Sequence, residues 1–256
     1  MKRLFRIAAS TLVLAVGLFT AARPAASAED ATEILKKVDA AGYAKSTRMK
    51  MVQKIITPSG DTRTFNILSY TLNGNEKGLT HYVAPEQVRG MKILSLRDGD
   101  DIWSYFPRTN RVRKLASSAR NRKVQGSDFT YDDMAQGKMV KQWKGKVLGE
   151  EKTDGKACFK LELVPTDEGP KSYKRILVWV DKSAYTPLRI DYYDLDNYLL
   201  KRLEIKNYKK IGGVLIPHDY VMINLTDGGK TLMKVLSAEV NVKLDSIIFT
   251  EAGLSR

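Results

Sequence analysis

The side chains with intrinsic reactivity are few: two histidines, His81 and His218, and one cysteine, Cys158. The histidines do not form H-E-x-x-H or any other metal-binding spacing, and a single thiol has no second cysteine with which to build a zinc site. No G-x-S-x-G nucleophile elbow occurs. Gly229-Lys230-Thr231 imitates the end of a phosphate-binding loop, but the earlier glycine would fall at position 224, which is Asn224. That stretch is instead a hairpin turn. His218-Asp219 is the best acid–base pair on offer, yet consecutive residues of a strand point to opposite faces. The expectation is a protein that is not an enzyme, with no catalytic residues, no metal and no cofactor. A histidine-dependent lipid hydrolase is the weakest of the functional readings. Cys158 lies in the alternating pattern KACFKLEL, where it reads as a small buried hydrophobe.

Charge offers different chemistry. Arg108, Arg111, Arg113, Lys114, Arg120, Arg122 and Lys123 crowd one segment, between the aromatic DIWSYF and the acidic GSDFTYDD. Two readings stand side by side. The segment is a cationic rim that docks on anionic lipid or an acidic membrane partner, or it is a solvated loop neutralised by Asp128, Asp132 and Asp133.

A formal net charge of +14 fits nucleic acid as readily as lipid, and the first residues choose between them. Lys2, Arg3 and Arg6 precede an apolar run from Ile7 to Ala22, and Ala26-Ser27-Ala28 has the small-residue form of a cleavage site. Residues 1–28 therefore read as a secretory signal cut between Ala28 and Glu29. The run is shorter than the ~20 residues that span a bilayer. Cleavage removes Lys2, Arg3, Arg6 and Arg23 and no acid, leaving 228 residues with a formal charge of +10. Residues 29–256 are long enough for one domain with a sizeable core. No nucleic-acid partner is expected for an exported chain, and with one cysteine no intramolecular disulfide supports the fold.

The elements that must position these residues are mostly strands. Ile34, Leu35, Val38 and Ala41 fall at helical spacing, with Asp30 or Thr32 as cap and Gly42 as stop. Thereafter the period is two. Asp98-Gly99, Asp154-Gly155, Gly212-Gly213 and Asp227-Gly228-Gly229 punctuate apolar runs as hairpin turns. Hairpins in series without long helices mean an antiparallel meander. In LRIDYYD, Leu188, Ile190 and Tyr192 share one face, and in KRLEIKN, Leu203 and Ile205 do the same. One apolar and one wet face is the pattern of a curved sheet or barrel wall. Met49, Met51, Met91, Met134, Met139, Met222 and Met233 add adaptable side chains, suited to variable apolar partners as well as to ordinary gap-filling. By alternation the candidate apolar cavity is lined by Met49, Met51, Ile67, Trp103, Trp179, Ile190, Tyr192, Leu203 and Ile205, and a one-residue slip would exchange every assignment on a strand.

The order Tyr105-Phe106-Pro107, then the basic stretch, then GSDFTYDD at 126–133, resembles the outer-membrane lipoprotein-sorting proteins of LolA-like type. VWVDKSAYTPLRIDYYD at 178–194, KIGGVLIP at 210–217 and the late KTLMKV strand extend the resemblance over nearly the whole chain beyond residue 28. It implies a mainly β fold with short helices: a curved antiparallel sheet forming a half-open, unclosed β-barrel with helices on its concave face. It also implies a periplasmic carrier of lipid or of lipoprotein acyl chains, working between inner and outer membrane, with an inner-membrane transporter or an outer-membrane acceptor as partner; a monomer is expected. An accessory or sensor subunit of a membrane lipid transporter is the alternative.

Overall fold

The computed structural model describes residues 30–135 and 137–256, so the signal-peptide expectation lies outside the described residues. The first element is α1 (Ala31–Ala41), whose Ile34, Leu35 and Val38 are buried as their spacing predicts. Asp30 occupies the cap position without a side-chain cap bond, and Thr32 lies within the helix.

Two meanders follow. The first runs through β1 (Ser46–Ile56), β2 (Thr62–Leu72), β3 (Lys77–Ala84), β4 (Lys92–Leu96), β5 (Asp101–Phe106) and β6 (Arg111–Lys114). The second begins with β7 (Trp143–Thr153), β8 (Lys156–Pro165), β9 (Arg175–Asp181), β10 (Pro187–Tyr193) and β11 (Leu199–Lys206). A small hairpin, β12 (Lys209–Ile211) and β13 (Val214–Ile216), then precedes β14 (Asp219–Asn224) and β15 (Lys230–Val240). β15 pairs back with β1, which joins the meanders into one antiparallel sheet of thirteen strands, with β6 and β7 as its edges. The two edges do not pair, so the sheet is curved but not closed.

The hairpin signals are borne out in the backbone. Asp98 and Gly99, and again Asp154 and Gly155, all have positive φ, as a tight turn matched to strand twist requires.

The chain between the edges, residues 115–142, crosses the concave face and carries α2 (Tyr131–Met134) and α3 (Met139–Gln142). The Asp39 carboxylate accepts the Met139 and Val140 N–H groups at 2.8 and 3.0 Å, fixing α3 against α1. At Gly137 a Cβ would lie 2.1 Å from the Asp98 carbonyl oxygen, so only glycine lets this crossing pass the β4–β5 turn. The main core lies between sheet and crossing. All seven methionines singled out from the sequence pack in it or against it.

The convex face has two smaller clusters. One gathers Leu79, Leu94, Phe249 and Leu254 beneath the C-terminal segment, which ends in a 3-10 turn and α4 (Glu251–Leu254). β15 ends at Val240, and the chain then folds back over β3 and β4. The other cluster holds Cys158, Trp179 and Leu188.

Candidate functional site: the concave face

GSDFTYDD is what anchors the crossing to the sheet. Thr130 and Asp133 form a capping box at the start of α2, the Thr130 N–H donating to the Asp133 carboxylate at 2.6 Å. The three carboxylates are buried and each is satisfied. Asp128 accepts from the Thr231 hydroxyl of β15 at 2.8 Å, and Asp132 accepts from Arg120 Nε at 2.7 Å and from Ser172. Asp133 accepts from the Tyr173 hydroxyl at 2.7 Å and from the Lys201 ammonium. Lys201 and Asp133 side chains are each only 3% exposed. The ammonium also lies 5.3 and 5.4 Å from the Tyr173 and Tyr192 ring centres, where the ring faces favour a cation. Burial pushes the Tyr173 and Tyr192 phenols well above their ordinary range, so both stay protonated.

Apolar space remains around this anchor. A cavity of about 160 Å³ is walled by Met49, Met51, Ile67, Leu203 and Met233 of the sheet and by Phe129 and Met134 of the crossing. A second, of about 240 Å³, lies between α1, the β12–β13 hairpin and the sheet, and shares Met49 and Tyr220 with the first. A third, of about 200 Å³, is bounded by Ile190, Tyr192, Tyr173 and Trp143, and meets the first at Asp133. Each is smaller than the ~300 Å³ at which ordinary ligand pockets begin, and adjoining cavities with flexible methionine walls reach that range when joined.

A family model described as "Uncharacterized protein" matches residues 74–256. Among solved structures, an outer membrane lipoprotein-sorting protein domain from Vibrio parahaemolyticus superposes with a TM-score of 0.81 at 27% identity, over 88% of this chain and 98% of that one. A DUF1329 family protein from Desulfovibrio piger gives a TM-score of 0.81 at 25% identity, over 87% and 97% of the two chains. A LolA superfamily protein from Nitrosomonas europaea gives 0.73 at 23% identity, over 87% and 98%. The chain belongs to the LolA-like, outer-membrane lipoprotein-sorting family. No curated protein matches it.

In this LolA-like sheet, seven of the nine residues selected by alternation face the cavities: Met49, Met51, Ile67, Ile190, Tyr192, Leu203 and Ile205. Trp103 and Trp179 turn to the convex face. On β5 the inward residue is Ile102, while Trp103 packs with Tyr105 and Leu94. On β9 the inward set is Ile176, Val178 and Val180, and Trp179 lies under Arg189, whose guanidinium carbon is 4.1 Å from the ring centre. Both strands offered two sets of large side chains, and the larger aromatic one is the outer. Leu188 also leaves the face it was given. A bulge between Pro187 and Arg189 shifts the register, placing Leu188 beside Cys158.

Lys201, Tyr173, Phe129 and Tyr220 are the site residues that sequence reasoning missed. Alternation from Leu203 and Ile205 puts Lys201 on the inner face; the signal was present, but a lysine did not fit a face read as apolar.

The basic segment divides. Arg108, Arg111, Arg113 and Arg122 are exposed. Lys114 pairs with Asp101 at 2.5 Å, Lys123 with Asp128 at 3.3 Å and Asp227 at 2.9 Å, and Arg120 with Asp132. Arg120 is mostly buried and also donates to the Gly99 and Asp100 carbonyls, so it belongs to the anchor, not to a rim.

The reactive side chains lie apart. His218 is buried with Nδ1 on the Ile216 carbonyl at 3.0 Å, and His81 lies on the convex face of β3. Burial pushes the Cys158 thiol up. Among the described residues, no group of three His, Cys, Asp or Glu side chains could hold a metal ion, and no helix is long and apolar enough to cross a membrane.

Proposed function

We propose that this LolA-like protein is a binding protein, not an enzyme, that carries lipid or lipoprotein acyl chains through the periplasm. The observation that carries the reading is the run of adjoining cavities, the central one walled by four methionines, between the sheet and a crossing segment held by a few polar anchors. Cargo enters as the crossing lifts and the cavities merge, and the methionines fit chains of differing shape. Residues 1–28 direct export, and residues 29–256 form the carrier. The exposed Arg108, Arg111, Arg113 and Arg122 give it a cationic edge for an anionic membrane. They also favour the second reading, an accessory subunit that docks on an acidic transporter surface.

Ile190 and Leu203 face the interior from neighbouring strands. Ile190→Glu and Leu203→Glu each place a carboxylate in that interior, at a cost of several kcal/mol if it stays ionised beside acyl chain. Each folded variant is expected to lose uptake of a fluorescent fatty acid. Normal uptake by both would contradict a cavity on this face.

A further inference from the structure

We propose a second ligand site on the convex face, specific for a phosphate monoester carried on a short aliphatic body. The fold-back of the C-terminal segment leaves a cavity of about 370 Å³ over β1 to β4, with no lining residue in common with the concave cavities. Its floor is set by register. Arg48, Tyr70 and Leu79 are directly opposed across β1, β2 and β3, and His81 opposes Lys92 across β3 and β4. The returning segment supplies the roof, with Lys243, Leu244, Ile248 and Arg256.

The charges of this pocket are unbalanced. Arg48, Lys92, Lys243 and Arg256 line it, against one side-chain carboxylate, Asp245, which is turned to the Ile247 N–H at 3.0 Å. Arg48 reaches Glu239 only at 3.8 Å. Lys92 spends its ammonium on the Leu254 and Arg256 main-chain oxygens at 2.9 and 2.7 Å. Lys243 and Arg256 have no carboxylate partner among the described residues. Burial, and next the Lys92 charge, hold the His81 imidazole below its usual range.

Four cationic side chains around one cavity repel one another, and the anion that would offset them fixes the ligand class. A phosphate monoester carries about −1.5 to −2 charge near neutral pH and three acceptor oxygens, enough for several cations at once. Leu79, Leu244 and Ile248 offer nothing to a bare ion, but they give an aliphatic body a surface to cover. The site needs both halves of its ligand.

Hexyl phosphate, inorganic phosphate and hexanol are the three probes, titrated by calorimetry, with methyl NMR shifts reporting location. Hexyl phosphate is expected to bind about tenfold or more tightly than either fragment, with charge-assisted bonds to the cations as the polar half. Its shifts are expected at Leu79, Leu244 and Ile248, and not at Ile67 or Leu203. Lys243→Gln with Arg256→Gln alters two exposed side chains and is expected to weaken binding about tenfold. Inorganic phosphate binding as well as hexyl phosphate would mean an adventitious ion only and would overturn the proposal. Shifts centred on the concave methyls, or affinity unchanged in the double variant, would overturn it equally.

Discussion

Lys201 and Arg202 are consecutive on β11 and face opposite ways, and each meets a buried aspartate. On the concave side Lys201 holds Asp133, with both side chains 3% exposed and 68 positions apart in the chain. On the convex side Arg202 and Arg189 flank Asp191, at 2.8 and 2.5 Å, with each guanidinium 27% exposed. The convex network ties neighbouring strands that the backbone ladder already joins. The concave pair ties the sheet to the segment that covers it, where no ladder helps. Equal charges thus do unequal jobs. Breaking a fully buried pair strands a charge in low dielectric, whereas a half-exposed arginine leaves its partner other donors and some water.

The largest test of this difference is Lys201→Met. It strands the Asp133 charge and is expected to cost about 3–5 kcal/mol in denaturant unfolding. Adding Asp133→Asn should restore much of that loss, since removing both charges leaves nothing unpaired. A single variant as stable as wild type would show that the crossing is held by packing alone.

The basic segment shows the same contrast on a smaller scale. Arg108→Gln, Arg111→Gln and Arg113→Gln together should weaken association with anionic vesicles by up to ~1 kcal/mol per residue at low ionic strength, an attraction that salt screens. Stability should hardly change. Arg120→Gln should do the reverse, lowering stability and sparing vesicle binding, because its guanidinium is committed to Asp132 and two carbonyls. Co-sedimentation across a salt series separates the two; identical behaviour of both variants would erase the distinction.

On the convex side, Arg202→Met should cost about 1 kcal/mol. Asp191→Asn adds a pH signature. Burial pushes the Asp191 carboxyl up, but the hydrogen bonds from Arg189 and Arg202 outweigh it and hold the group below its ordinary range. Its unfolded value is near ~3.9. The stabilisation is therefore complete above about pH 4 and is lost as pH falls through the lower folded value. The destabilisation caused by Asp191→Asn at pH 7 should fade on acidification; a constant difference down to pH 2–3 would assign it to packing.

The smallest effect is expected where catalysis was first sought. His81→Ala, His218→Ala and Cys158→Ala combined should leave fatty-acid uptake unchanged in protein that folds. A folded triple variant without uptake would return these side chains to the account.

What the sequence made legible follows the range of the forces involved. Turns written by Asp-Gly pairs and strands written by alternation are local, and the meander, a two-faced curved wall and seven of the residues facing the cavities could be read from them; that the sheet stays unclosed was implied only by the family resemblance. Trp103 and Trp179 were misplaced because alternation on a strand with two bulky faces does not say which is inner. Leu188 was misplaced by a bulge that no residue type announces. Lys201 was overlooked because its partner lies 68 residues away, on a segment whose carboxylates looked like solvent-facing charge. GSDFTYDD could be read as acidic residues that pair with the basic segment, but not as the anchor of the concave face. That role exists only once Thr231, Tyr173 and Lys201 are brought to it from three other strands and loops.

The central claim is that the concave face takes up an acyl chain. Native mass spectrometry of the protein, isolated without detergent from the cells that make it, tests this most directly. The account predicts a fraction carrying the added mass of a lipid, abolished in folded Leu203→Glu. Ligand-free protein alone, together with no uptake of added fatty acid by that same preparation, would contradict it.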